Sequence, residues 1–168
     1  MADPYTPSHP EFVVEFHEGD FRSFLRTRRA FAGGEILVHL TNATRSPQTY
    51  STVQCGREPE DNVQFNSDFV FVNHSCEPNV VFDLSSPDAR EWHIRALKDI
   101  EVGSSVTYFY PSTEWHMDQA FDCQCGTEGC LGKIQGARYL KREELMKYWV
   151  SPWISELIRE RDTEIERR

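Results

Sequence analysis

Residues 73–79, Asn-His-Ser-Cys-Glu-Pro-Asn, are the stretch of sequence that decides the fold. They follow an apolar run at 69–72 (FVFV), a pattern that predicts a buried element ending at a polar site. Asn73 and His74 can both donate and accept hydrogen bonds. Pro78 fixes its own φ and restricts the residue before it to an extended conformation, as in a tight turn. Taken alone, the heptapeptide predicts only a polar turn that carries one cysteine.

A cluster of cysteines lies downstream, within residues 121–130 (FDCQCGTEGC). Cys123, Cys125 and Cys130 form the pattern C-x-C-G-x3-C, so three thiols on one glycine-bearing loop can converge on a single ion. Thiolates suit zinc better than a hard cation, and a closed structural zinc site needs four ligands. The sequence offers three candidates for the fourth ligand: Cys55, Cys76 and His116.

The rest of the chain predicts a mainly β fold with helices at the C-terminal end. Predicted strands lie at 11–16, 31–40, 50–54 and 105–110, with a hairpin formed by 80–84 and 92–97. The polar segment 58–66 is predicted to be a surface loop, and 138–150 and 152–166 are predicted to be helical. Ser151 and Pro152 form a typical helix start, with an N-cap hydroxyl before a proline at the first helical position.

Composition and charge describe a folded, acidic body. Hydrophobic residues make up 39% of the 168 residues and aromatic residues 12%, which argues against disorder. The formal net charge is -9, and residues 1–136 carry all of the excess. An acidic body repels nucleic acid and attracts basic partners, so we expect a basic protein or peptide as partner and no direct contact with nucleic acid. The alternative is that this charge serves only solubility.

Targeting signals were not found in the sequence. No apolar run approaches the length of a membrane span, and the N-terminal residues lack the basic and apolar regions of a signal peptide. Five cysteines, an odd number, fit metal ligands plus one further thiol better than a disulfide framework. We therefore expect an intracellular protein, in the nucleus or the cytoplasm, of open oligomeric state.

Three motifs follow one another along the chain: NHSCEPN at 73–79, VGSSVTYFY at 102–110 and FDCQCGTEGCLGKIQG at 121–136. In this order the chain resembles the SET-domain family, to which many lysine methyltransferases belong, together with the cysteine-rich post-SET module that many of them carry. The segment 32–37 (AGGEIL) is similar to the family's A-G-E-x-I turn. The resemblance covers about residues 20–136. It implies a SET-domain fold of several small β-sheets, a pseudoknot-like active site and a zinc-bound post-SET loop.

The resemblance also implies a division of the chain and a ligand set. The expected units are an irregular arm at 1–10, a SET domain at 11–120, a post-SET zinc module at 121–136 and a C-terminal helical appendage at 137–168. The family pattern assigns the fourth ligand of one structural zinc ion to Cys76. Cys55 is then the leftover thiol.

The activity that the resemblance implies is methyl transfer from S-adenosylmethionine (SAM) to a lysine side-chain amine of a protein. Tyr110 resembles the family's catalytic tyrosine, whose hydroxyl orients the amine. Tyr108 lies where the family has Phe or Tyr, and an added hydroxyl there favours mono- or dimethylation. The amine must react in its neutral form, and a desolvated channel beside the cofactor's sulfonium lowers its pKa from about 10.4.

Seven residues are implied to hold or line the cofactor. They are Asn73, His74, Trp115, Leu131 and the loop residues Arg22, Ser23 and Phe24, which occupy the place of the family's G-x-G. Glycine at that place lets the backbone approach the cofactor closely, so its absence is a departure from the pattern. For His74, Trp115 and Leu131 the competing interpretation is packing in the core.

Two other functions are compatible with these motifs. The first is a SET-fold enzyme acting on a small-molecule amine, which the short segment 41–66 favours because a reduced insert re-aims the peptide groove. The second is a non-catalytic SET module that binds a protein, which the missing glycines favour.

Overall fold

Short strands dominate the architecture of the chain, for which a computed structural model describes residues 4–168. The strands are β1 Phe12–Glu15, β2 Phe24–Thr27, β3 Ile36–His39, β4 Ala43–Arg45, β5 Val53–Gln54, β6 Asn62–Phe65, β7 Asn73–His74, β8 Val80–Asp83, β9 His93–Ala96, β10 Thr107–Tyr108, β11 Phe121–Asp122 and β12 Lys133–Ile134. They form small sheets ordered β1-β2, β3-β9-β8, β4-β6-β5, β7-β10 and β11-β12. The predicted mainly β fold of several small sheets is confirmed.

The pairing of β7 with β10 brings two of the sequence motifs together. The two strands run parallel, with Thr107 opposite Asn73 and Tyr108 opposite His74. The side chain of Asn79 also joins the two segments. Its Oδ1 accepts from the Thr107 amide at 2.9 Å, and its Nδ2 donates to the carbonyl of residue 105 at 2.8 Å. The two segments thus interlock, as the pseudoknot-like arrangement requires.

The hairpin of β8 and β9 is antiparallel, as predicted, and Val80, Phe82 and Ile94 are buried in its core face. The predicted strand at 105–110 is shorter than expected, since Tyr110 begins a 3-10 turn, Tyr110–Ser112. This turn carries the Tyr110 side chain away from the ladder and into the site described below. Residues 4–10 of the predicted N-terminal arm form no strand, and residues 1–3 of that arm lie outside the described residues.

The prediction of a surface loop at 58–66 was wrong for its second half. Residues 62–65 form β6, the middle strand of the β4-β6-β5 sheet. Val63 and Phe65 are only 2% and 3% exposed, so the alternation of these two apolar residues decides the structure. Because most of segment 58–66 is polar, the alternation of Val63 and Phe65 was not recognised as a strand pattern in the sequence.

The prediction of a helix at 138–150 was also wrong over most of its length. The structure has only a 3-10 turn, Ala137–Tyr139, and one helical turn, α1 Arg142–Leu145. Tyr148 explains the irregular remainder: its ring stacks on Phe109 with centroids 3.7 Å apart, and its hydroxyl donates to the Cys76 carbonyl at 2.7 Å. These tertiary contacts override the local helix propensity.

The last helix, α2 Pro152–Glu166, begins where the sequence predicted. Trp153, Ile154 and Ile158 form its buried face and dock it on the domain. The Ser151 hydroxyl does not cap this helix as expected, because it is buried and has no hydrogen-bond partner. Within residues 4–168, neither helix combines the length and apolar character needed to cross a membrane.

Candidate active site and metal centre

Four cysteines from distant parts of the chain meet beside β7. One sulfur from each of Cys76, Cys123, Cys125 and Cys130 lies within 4.8 Å of the others. The Sγ atoms of Cys76 and Cys123 are 3.9 Å apart. A tetrahedral zinc site with Zn–S bonds of about 2.3 Å separates its sulfurs by about 3.8 Å. The cluster therefore has the donor set and the spacing of a closed zinc site.

The electrostatics of the cluster favour a cation. Burial raises the pKa of the Cys76 thiol to about 11 and also raises that of Cys123. At Cys125 burial acts in the same direction, but hydrogen bonds from Thr127 and the main chain outweigh it and lower the pKa to about 6. None of the cysteines is in a disulfide. A bound divalent cation stabilises the thiolates that burial disfavours.

The other two candidates for the fourth ligand have different surroundings. The sulfur of Cys55 lies 3.5 Å from a guanidinium nitrogen of Arg45, and its pKa is raised by burial. His116 Nδ1 shares a 2.7 Å hydrogen bond with the Tyr139 hydroxyl. Neither belongs to the group of converging sulfurs.

His74 links the cysteine cluster to Tyr110. Its Nδ1 accepts from the Tyr110 amide at 3.2 Å, which assigns the ring proton to Nε2, 3.3 Å from the Cys76 sulfur. Burial lowers the pKa of His74 to about 4, so the ring is neutral at pH 7. Both ring nitrogens thus have partners within the chain, and the ring positions Tyr110 relative to the sulfurs.

The loop that lacks the family's glycines lies against Asn73. The Asn73 Nδ2 donates to the Ser23 carbonyl at 3.0 Å, and the Phe24 ring stacks on His17 at 5.6 Å. The sequence analysis missed Gly19, whose φ of +99° gives the loop a turn that other residues rarely adopt. The Arg22 side chain lies over Gly19, where an added Cβ would come within 3.1 Å of its Cδ.

Aromatic rings pack around the imidazole ring of His74. The ring centroids of Tyr110 and Phe121 are 6.0 Å apart. They lie 5.3 Å and 5.8 Å, respectively, from the centroid of the His74 ring. Leu131 also lies close to this group of rings, because its main-chain amide donates to the Cys76 sulfur at 3.3 Å. Residues Phe121 and Leu131, which flank the cysteine loop, thus lie close to His74 and Cys76.

Trp115, which the resemblance places at the cofactor and substrate pocket, lies between Gln54 and Gly136. Its amide donates to Oε1 of Gln54 at 2.9 Å. Its carbonyl lies against Gly136, which has φ of +115° and where a Cβ would come within 2.5 Å of that oxygen. The main chain of Trp115 is thus held by the Gln54 side chain, whereas Leu131 lies at the cysteine cluster.

A narrow cavity of about 50 Å³, partly open to solvent, adjoins Tyr110. Tyr108 and Tyr110 line it together, with ring centroids 4.7 Å apart, and Tyr108 stacks on Phe82 at 4.1 Å. The Tyr110 hydroxyl donates to the Val72 carbonyl at 3.2 Å. Burial raises the pKa of both phenols, so both hydroxyls remain protonated and can donate hydrogen bonds.

Glu114, another residue that the sequence analysis missed, also lines this cavity. It is 6% exposed. Its Oε1 accepts hydrogen bonds from the main-chain amide of Gln54 at 2.7 Å and from the Thr113 hydroxyl at 3.2 Å. Burial raises the pKa of its carboxyl group to about 7. No motif marks Glu114, because its burial depends on pairing with β5, sixty residues earlier in the chain.

Comparison with known proteins agrees with this geometry. The SET domain family matches residues 8–111. Methyltransferase flvH of Aspergillus flavus is 38% identical over 155 residues, which cover 90% of this chain and 84% of that protein. The H3 lysine-4 specific histone-lysine N-methyltransferase of Emericella nidulans is 41% identical over 64 residues, which cover 37% of this chain and only 5% of that much longer protein.

Solved structures give the same fold. The crystal structure of KRYPTONITE in complex with mCHH DNA, H3(1-15) peptide and SAH aligns with 73% of this chain and 29% of its own, at a TM-score of 0.50 and 20% identity. A second KRYPTONITE complex, with mCHG DNA and SAH, aligns with 66% of this chain and 26% of its own, at a TM-score of 0.51 and 18% identity. At this level of identity the likeness concerns the fold alone.

A parallel pair of short strands, a buried tyrosine beside it and a family match over most of the chain define one class of protein. The chain belongs to the SET-domain family. It is a methyltransferase of that family, as its relatives are, so the alternative of a non-catalytic binding module is set aside.

Proposed function

We propose that the protein transfers a methyl group from SAM to a lysine side-chain amine of a basic protein or peptide. One observation carries the proposal: His74 connects Tyr110 to the Cys76 sulfur, so the proposed catalytic tyrosine and the cysteine cluster are held together through one ring. Catalysis of such a transfer depends on alignment and on electrostatics more than on a strong base.

The residues around Asn73 fit the cofactor. SAM carries its methyl group on a sulfonium cation, which aromatic faces such as those of Tyr110 and Phe121 stabilise. We propose that Asn73, the main chain of His74, Ser23 and Phe24, and Leu131 hold the cofactor. The position of Arg22 over Gly19 supports this assignment, because it keeps the bulk of that side chain beside the loop's own backbone.

Zinc is proposed to hold the post-SET loop in place. Cys76, Cys123, Cys125 and Cys130 are the ligands in this proposal, with one structural ion. A loop with so little core of its own derives its folding energy from the metal. Removing the ion should therefore release Leu131 from the cofactor corner.

The acceptor amine is proposed to enter the cavity beside Tyr108 and Tyr110. The Tyr110 hydroxyl orients the amine, and Tyr108 adds a hydroxyl that limits the room for further methyl groups. Mono- or dimethylation is the expected outcome. The aromatic walls also exclude water, which lowers the pKa of the amine toward the neutral, reactive form.

A protein substrate is supported by charge and by the relatives. Residues 1–136 carry the whole acidic excess, which suits a basic peptide. The relative from Emericella nidulans is specific for H3 lysine-4, and KRYPTONITE was solved with an H3(1-15) peptide. We infer from these a lysine within a basic tail as acceptor.

A small-molecule amine is the second candidate acceptor. The full-length likeness is to Methyltransferase flvH, whereas the histone enzyme from Emericella nidulans matches only a part of this chain. The carboxyl group of Glu114 within the cavity also suits a free cationic amine. Both acceptors share the same chemistry at the nitrogen.

Mass spectrometry after incubation with SAM tests the proposal. The zinc-loaded protein is offered an H3(1-15) peptide and, separately, n-butylamine, which mimics the end of a lysine side chain. Methylation of the peptide on lysine supports the first candidate, and methylation of n-butylamine alone supports the second. If neither acceptor gains a methyl group and SAM is not bound in a calorimetric titration, the proposed function is contradicted.

A further inference from the structure

The carboxylate of Glu114 is a buried charge that has no cationic partner within residues 4–168. The main-chain amide of Gln54 and the Thr113 hydroxyl both donate to Oε1. No described residue donates to Oε2, yet this atom is not among the fully enclosed side-chain oxygens that lack a partner. Because Glu114 lines the cavity and Oε1 already accepts two hydrogen bonds, Oε2 is the carboxylate oxygen available to a ligand there.

Nothing about the fold alone accounts for an acid at this place. Burying a carboxylate without a compensating charge is costly, and a neutral glutamine would satisfy the same two donors. The remaining titratable groups that line the cavity are Tyr50, Tyr108, Tyr110 and the exposed Asp118, and none of them is cationic. A ligand that brings a positive charge would remove the cost.

From this geometry we propose that Glu114 binds the cationic acceptor amine through Oε2 and takes up its proton. The inference rests on the proposed function for the identity of the amine as methyl acceptor. In the step, one N–H bond of the ammonium breaks, an O–H bond forms on Oε2, and the nitrogen keeps the electron pair. The proton leaves Glu114 for water after the product departs.

The proton affinities of the two groups make this transfer accessible. An exposed carboxyl group and an exposed lysine amine differ by about six pKa units, too far apart for easy exchange. Burial raises the pKa of Glu114 to about 7 and the same cavity lowers that of the amine, so the gap narrows. The Tyr108 and Tyr110 phenols, whose own pKa values are raised, stay protonated and do not compete for the proton.

Calorimetric titration of n-butylamine at pH 8.5 tests the inference on the zinc-loaded full chain. We expect n-butylamine to bind the wild type at least about tenfold more tightly than 1-butanol, its uncharged analogue. In Glu114→Gln, which keeps both hydrogen bonds to Oε1, this preference should disappear. Glu164→Gln makes the same change at an exposed position on α2, outside the cavity lining, and should change the affinity by less than about twofold.

The number of protons released on binding distinguishes a residue that keeps the amine's proton within the complex from one that only shapes the cavity. Titrations in two buffers of different ionisation enthalpy give the protons released for each amine bound. The wild type should release none, because the proton stays within the complex, on the nitrogen or on Glu114, whereas Glu114→Gln should release one for each amine that it binds in the neutral form. Equal affinity for the amine and for 1-butanol in the wild type overturns the inference, even if the variant does not fold.

Methyl transfer measured in parallel separates this inference from the proposed function. A wild type that methylates no acceptor but binds n-butylamine through Glu114 leaves the inference standing and contradicts the proposed function. A wild type that methylates an acceptor, with Glu114→Gln unchanged in affinity and proton release, overturns the inference and leaves the proposed function intact.

Discussion

Tyr110 reaches its place through contacts at both of its ends. Its amide donates to His74 Nδ1 and its hydroxyl donates to the Val72 carbonyl, so the ring is held between the two halves of the interlocked motif. The motif pattern identified this residue as a candidate, and it also identified Tyr108. It could not identify Glu114, whose burial depends on a strand far away in sequence.

Tyr110→Phe should lower the rate of methyl transfer by about 100-fold or more, because the hydroxyl that orients the amine is lost. The free energy of unfolding should fall by only about 1 kcal/mol, the value of one hydrogen bond. Tyr139→Phe is the matched control, since the Tyr139 hydroxyl bonds to His116 at an exposed position. A Tyr110→Phe protein with the wild-type rate would show that Tyr110 is not the catalytic tyrosine.

Glu114 should make stability depend on pH. Its pKa is raised from 4.5 to about 7 by burial, so the fold favours the neutral form and ionisation destabilises it. The cost is absent below pH 4.5, grows through pH 7 and reaches about 3 kcal/mol above it. Urea unfolding of the wild type and of Glu114→Gln from pH 5 to 8.5 measures this. We expect the variant to gain relative stability as the pH rises, and a constant difference would contradict the assignment.

At the scale of elements, local signals predicted structure where turn or capping residues mark the ends of an element. The β8-β9 hairpin was predicted from two apolar segments joined by a turn-rich stretch, and the start of α2 from Ser151 and Pro152. The segment 62–65 and the segment 138–150 were not, because a strand between two partners and a tail docked on Phe109 take their structure from tertiary contacts. Sequence reasoning cannot see such contacts until a fold has been chosen.

The loop 123–130 should depend on the zinc ion that we propose for the four cysteines. Cys76→Ser should lower the zinc content from one equivalent to well below half, and the free energy of unfolding by on the order of 4 kcal/mol. Cys55→Ser is the control, because its sulfur lies outside the converging group, and it should keep a full equivalent. Elemental analysis and urea unfolding measure both quantities. Full zinc occupancy in Cys76→Ser would remove Cys76 from the ligand set.

At the scale of the whole molecule, the C-terminal segment closes onto the cysteine corner. Tyr148 contacts both Phe109 and the Cys76 carbonyl, so the segment supports the same residues that the metal would hold. The division of the chain at residues 10, 120 and 136 stays a prediction. The order of three motifs was enough to predict the fold and the cysteine cluster, whereas the loop turn at Gly19 and the docking of Tyr148 became visible only in three dimensions.

Tyr148→Ala should therefore destabilise the protein by about 2 kcal/mol, since a half-buried aromatic ring and its hydrogen bond are both lost. It should also weaken zinc retention against a chelator. Met146→Ala, at a position 74% exposed on the same segment, should have no effect on either property. Equal chelator sensitivity in the two variants would show that the segment does not support the metal site.

The crystal structure of the zinc-loaded protein with S-adenosylhomocysteine bound tests the central claim most directly. The account predicts one zinc ion on Cys76, Cys123, Cys125 and Cys130, with the bound molecule in contact with Asn73 and the main chain of Ser23, and its sulfur facing Tyr110. A structure in which Arg22 and Phe24 fill that space, with the molecule bound elsewhere or not at all, would contradict it.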